Sequence, residues 1–223
     1  VTTADLSLDE MRLALAPRIA EAAAFDGWGA AALEAAAARL DISADLARLA
    51  FPSVRPGRGA MAMIAAWTHY IDTEMVRALP LETLAAMSIR QRIRQLVTFR
   101  LDSAASTEEA LRRALAIMAT PQNIAQSLRL GWHSADVMWR LAGDKATDLN
   151  HYSKRAILAS LYGATLAIFV EDRSEAKVET LAFLDRRIDG VMRFEKAKAQ
   201  WFGGGTDYFS PARFLGRLRY PAR

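Results

Sequence analysis

Residues 131–155 read GWHSADVMWRLAGDKATDLNHYSKR. The first part carries Trp132 and Met138 on a helical period that begins with Ile124 and Leu128. Gly143 then stands where a helix-ending glycine belongs, since the residue beyond the last turn takes a left-handed backbone that costs glycine little. Thr147 offers a cap oxygen to the next helix and Asp148 a first-turn carboxylate. The stretch therefore reads as helix, glycine stop and helix restart. Its polar run, with Asp148, Asn150, His151, Tyr152 and Arg155 crowded together, is more than a helical core requires.

Working outward, every period in the chain is helical and no strand alternation is found. Ser7 and Glu10 form a capping box for a first helix, with Pro17 expected to kink it. Gly27 and Gly29 turn the chain around Trp28. Helices follow at Ala30–Leu40 and from Ile42–Ser43 to Phe51. The loop 52–59, PSVRPGRG, opens a long helix from about Ala60 to Leu79. Further helices are expected near 89–102 and 107–119, from Gln122 to Ala142 with Pro121 in the first turn, and from Thr147 to Val170. A last one starts at Ser174 or Glu175 and runs to about Trp201. Gly203–Gly205 is a flexible joint before the tail.

At 223 residues, 52% of them hydrophobic and with only seven prolines, the chain suits one ordered, helix-rich domain with at most a small added lobe. It has no cysteine, which excludes disulfide and thiolate chemistry. Its three histidines, His69, His133 and His151, are far apart in sequence. None has a glutamate three residues before it, so the helical Glu-x-x-His di-iron pattern is absent and no metal site is expected. The first residues lack the basic, apolar, small order of a secretory leader. The longest uncharged run, Ala156 to Val170, makes a helix of roughly 23 Å, short of a ~30 Å hydrocarbon core, so no membrane span is expected. Net charge is +4, of which residues 203–223 hold +3, leaving a near-neutral body and a basic tail.

The central stretch resembles the signature of the ubiquinone-biosynthesis accessory family, the ninth protein of the coenzyme Q set. The matching pieces are Met138–Trp139, Ala142–Asp144, Thr147–Asp148, Asn150, Tyr152 and Lys154–Arg155. Phe25-Asp-Gly-Trp28 is similar to the family's GW turn and Thr120-Pro-Gln-Asn-Ile124 to its proline-started helix. Ala182-Phe-Leu-Asp-Arg-Arg-Ile188 and Val191-Met-Arg-Phe194 resemble its last core helix. The resemblance, to a bacterial member, spans roughly residues 8 to 198. It implies an all-α, two-lobe fold like the tetracycline-repressor regulators, a bound lipid in place of DNA, no cofactor and no catalytic centre. The expected division is a helix-turn-helix-like lobe over 1–56, a helical lipid lobe over 57–202 and a linker with a basic tail over 203–223.

Three surfaces carry the expectations. The late helices bring together Leu128, Trp132, Met138, Leu158, Leu161, Tyr162, Phe169, Leu184, Ile188 and Met192. On the residues alone this is an ordinary core, and the resemblance makes it a lipid cavity with methionines as adaptable walls. The polar run Asp148, Asn150, His151, Tyr152 and Arg155 is, in the family, where a di-iron hydroxylase of ubiquinone synthesis docks; aromatic and arginine neighbours are typical interface anchors. His151 stands where relatives often carry tryptophan. In the tail, Phe214, Leu215 and Leu218 share a face beside Arg213 and Arg217, which reads either as a reversible membrane contact or as a basic disordered terminus.

The resulting expectation is a non-catalytic accessory protein. It takes an isoprenoid quinone precursor from the membrane and presents it to the hydroxylase, as a homodimer through its late helices and as a cytoplasmic protein peripheral to the inner membrane. The rival is a ligand-responsive transcriptional regulator. Against it, Arg48 is the only base of the would-be recognition helix, facing Asp41 and Asp45, too little cation for phosphate contacts.

Overall fold

The computed structural model describes residues 6–52, 58–144 and 149–202. Ser7 and Glu10 form the reciprocal capping box expected of them, and α1 (Leu8–Asp26) runs on through Pro17. Gly27, at φ 74°, ends it and turns the chain into α2 (Ala30–Arg39). Ser43 then caps α3 (Ala44–Ala50). The remaining helices are α4 (Arg58–Ala78), α5 (Leu81–Ala85), α6 (Ile89–Ala105), α7 (Glu108–Met118), α8 (Ile124–Leu141), α9 (Leu149–Glu171) and α10 (Val178–Phe202). No strand occurs among the described residues.

Three boundaries differ from expectation, each for a local reason. The five-residue α5 follows Pro80, whose carbonyl takes the first helical hydrogen bonds. Pro121 lies in the turn before α8, not in its first turn. Asn123 there spends its amide on the Ile117 carbonyl, 2.9 Å away. The last helix starts at Val178 because Ala176 and Lys177 take left-handed backbones in a 3₁₀ turn. That turn is held by Asp172, whose carboxylate accepts from the backbone and hydroxyls of Ser174 and Thr180 at 2.5–2.8 Å. The Ser174 and Thr180 donors keep the Asp172 carboxyl well below the usual carboxylate range.

Val1–Ile188 form one compact unit and Asp189–Arg223 a second; the described part of the latter is the end of α10. In the first unit α4 is central, packing on α1, α6, α7 and α8 through Met61, Ile64, Trp67, Ile71 and Met75 at three-to-four spacing. Buried Trp28 ties the N-terminal helices to this centre. Its indole donates to the Ala110 carbonyl at 2.9 Å and its ring lies 5.5 Å from that of Trp67. The segment His151–Glu171 of α9 is long and apolar enough to cross a membrane, with a mean hydropathy of 1.2. The fold uses part of that hydrophobicity internally: α9 packs on α6, α7 and α8 and buries Leu158, Leu161, Phe169 and Val170.

Candidate functional site

Between α4, α6, α7, α8 and α9 lies an apolar cavity of about 610 Å³, within the range of sites that take small organic ligands. Ile64, Trp67 and Ile71 wall it from α4, Leu111, Leu115 and Met118 from α7, and Leu166 from α9. Ile124, Leu128 and Trp132 recur every four residues along one face of α8 and also line it. Leu128 is 69% exposed, so this row forms the cavity's open side.

Of the residues expected to line a lipid site, Leu128, Trp132 and Tyr162 line this cavity. Met138, Leu158, Leu161, Phe169, Leu184 and Ile188 are buried but pack elsewhere, and Met192 is exposed. Among the described residues none of the lining comes from α10, and α4 and α7 supply walls that the late helices were expected to form. Their apolar stripes were visible in the sequence, but a helical stripe facing a void has the same spacing as one facing another side chain.

One wall is polar. Arg100, fully buried, pairs with the Asp72 carboxylate and donates from Nη2 to Ser134 Oγ at 3.1 Å. The Tyr162 ring lies 4.8 Å from its guanidinium carbon. On the far side of Asp72 stand His69 and His133, with ring centroids 4.7 Å apart. Burial, followed by the neighbouring His133, holds the His69 imidazole below the ordinary histidine range, while Asp72 pulls the other way. Distance along the chain had concealed this grouping.

The signature stretch is largely a clamp between α8 and α9. Gly143, at φ 88°, ends α8 in a Schellman turn: its N–H reaches the Arg140 carbonyl and that of Asp144 the Trp139 carbonyl, both at 3.0 Å. A Cβ at Gly143 would also come within 3.0 Å of Arg92 Nη1, which donates to the Ala142 carbonyl. The turn delivers Asp144 to Lys154 at 2.8 Å and to Arg155 at 3.1 Å, while Arg155 Nε donates to Asp136 at 2.5 Å. Trp139 closes the group by donating to the Lys154 carbonyl.

This corrects the assignment of Arg155 to a partner surface. Its side chain is only 2% exposed, with Nε donating to Asp136 and Nη1 to Asp144 and the His151 carbonyl. Sharing a helix face with Tyr152 does not make it exposed, because α8 covers that part of the face. Tyr152 remains a surface aromatic, 61% exposed, with Trp132 6.1 Å and His151 5.1 Å away, centroid to centroid. Asp148 and the Asn150 side chain lie outside the described residues, as do the tail positions Arg213, Phe214, Leu215, Arg217 and Leu218.

On α3, Arg48 is taken up by Glu34 at 2.7 Å and Asp45 at 2.8 Å, so the would-be recognition helix presents a neutralised cation.

Residues 124–195 match the protein-family model described as COQ9. The chain is 31% identical over 173 residues to the human protein named ubiquinone biosynthesis protein COQ9, mitochondrial; the match covers 74% of this chain and 52% of that protein. It is 45% identical over 80 residues to the protein of that name from Rattus norvegicus, over 36% of this chain and 26% of the relative. The chain thus spans between about a quarter and a half of the length of these curated relatives. Among solved structures, a TetR transcriptional regulator from Nitrosomonas europaea superposes with a TM-score of 0.63 at 23% identity, covering 80% of this chain and 96% of that one. At that identity the likeness shows the fold alone, an all-α fold of the repressor type.

Proposed function

Because the chain carries a COQ9 domain and so belongs to that ubiquinone biosynthesis accessory family, we propose that it is a non-catalytic carrier which holds an isoprenoid quinone precursor and presents it to a hydroxylase of the pathway. The observation that carries this reading is the cavity: about 610 Å³, almost wholly apolar, and open along Ile124, Leu128 and Trp132. A polyprenyl chain partitions into such a space for the reason it partitions into a bilayer. Docking at Tyr152 fits the same picture, since Trp132 both lines the cavity and lies beside Tyr152. A partner seated there would meet the cavity's open side. Peripheral contact with a membrane through the tail, and dimerisation through the late helices, belong to this proposal as well.

Organic extraction of the purified protein followed by mass spectrometry, against a mock purification, tests the carrier reading. Enrichment of an isoprenoid quinone or related lipid, near one per subunit, is expected; absence of any enriched lipid would sink it. Docking is tested separately. Tyr152→Ala is expected to weaken hydroxylase binding by roughly tenfold or more, as for an exposed aromatic anchor, with lipid content intact. Unchanged affinity would remove Tyr152 from the interface.

The regulator reading has only the fold likeness in its favour. It predicts salt-sensitive retention on random duplex DNA at low ionic strength.

A further inference from the structure

His69 and Asp72 sit three apart on α4, and His133 reaches them from α8. Asp72 Oδ2 lies 4.0 Å from His69 Nδ1 and 4.0 Å from His133 Nε2, and the three candidate ligand atoms all fall within 4.8 Å of one another. We propose that His69, Asp72 and His133 form a binding site for a divalent first-row transition metal ion, zinc being the reference case, which fastens α4 to α8 beside the cavity.

Geometry carries this. Ligand atoms of a tetrahedral zinc ion with 2.0–2.2 Å bonds stand roughly 3.3–3.6 Å apart, so the 4.0 Å separations from Asp72 Oδ2 must close by about half an ångström for the ion to be held. Both imidazoles are half exposed, so rotamer changes that bring their nitrogens inward give up only the edge contact between the two rings. The carboxylate is already held: Arg100 occupies Oδ1 and Ser134 donates to Oδ2 at 3.3 Å, and it is Oδ2 that lies nearest both histidines. Supporting hydrogen bonds of this kind fix a ligand's direction. The Arg100 charge works against a cation, which sets the affinity below that of a site with an uncompensated carboxylate. Two nitrogens and one oxygen suit zinc, nickel, cobalt or copper, whereas magnesium and calcium require oxygen ligands. Three protein ligands also leave coordination positions open to water or to an oxygen donor.

The test is a titration of tag-free, chelator-treated protein with zinc chloride, followed by the histidine side-chain resonances. The chain has three histidines, so the assignment is complete within itself. Resonances of His69 and His133 are expected to shift together and saturate at one zinc per chain, with His151 unmoved. His69→Asn and His133→Asn are each expected to weaken zinc binding by more than the roughly 10–100-fold that loss of a supporting residue costs. In the parent protein zinc should raise Tm by mass action on the folded state. No saturable shift, equal shifts at all three histidines, or affinity unchanged in both variants would overturn the site.

Discussion

Arg155→Met is expected to lower stability by about 3–5 kcal/mol, the range for breaking a buried ion pair by removing one partner. For a chain of this size that is a fall in Tm of roughly 6–20 °C, read from a thermal melt followed by circular dichroism. The cause lies in what remains. Methionine fills the aliphatic volume, but the Asp144 side chain, 5% exposed, then loses the guanidinium beside Lys154, and the Asp136 side chain, 16% exposed, loses it beside the well-exposed Arg140. Two carboxylates stay in a poorly solvated joint without the guanidinium that lay between them. Arg155→Lys should recover part of the loss, since one ammonium replaces the charge but cannot span Asp136 and Asp144 as a planar fork does. Tyr152→Ala, on the uncovered part of the same helix face, should stay within about 0.5 kcal/mol of the parent. A stable Arg155→Met protein would mean that the clamp is hydrated in solution. The contrast also explains why a docking test must use Tyr152 alone: pairing it with Arg155→Ala would confuse lost affinity with lost fold.

How far the sequence could be read depended on whether a signal was local. Ser7 with Glu10, Ser43 and Gly143 all act where their chemistry foretold, because caps and left-handed turns involve residues a few positions apart. The all-helical fold was equally legible. The site was less so. Arg155 and Tyr152 lie on one face of α9, and only the third dimension shows that α8 covers one and leaves the other in solvent. Helix amphipathicity likewise could not assign the cavity to α4 and α7 over α10, since Leu184 and Ile188 are as regularly spaced as Ile64 and Ile71. His69 and His133 are separated by more than sixty positions and share no motif. Asp72 stands between them in the fold, three residues after His69, a spacing outside the glutamate-before-histidine pattern of helical metal ligands.

If the cavity carries the lipid as proposed, replacing Gly131 and Gly163 together by leucine is expected to empty it of lipid without harming the fold. Both glycines line the cavity, from α8 and α9, and a Cβ at either meets no atom within 4 Å. Neither has a positive backbone φ, so leucine introduces no strain there. In a helix interior, leucine is favoured over glycine by somewhat under 1 kcal/mol per site, and packing of the new side chains against apolar walls adds to this. Stability should therefore hold or rise. A bound prenyl chain, in contrast, would have to compete with two branched side chains fixed in its path. We expect the lipid recovered per subunit to fall by roughly tenfold or more, equivalent to at least about 1.4 kcal/mol of lost binding. The pairing of the two readouts gives the experiment its force. Lipid loss with an unchanged or higher Tm can come only from occupation of the space itself. Lipid retained in a fully stable variant would mean that the lipid binds elsewhere on the molecule, and that the void between α4, α7, α8 and α9 is not the site of carriage.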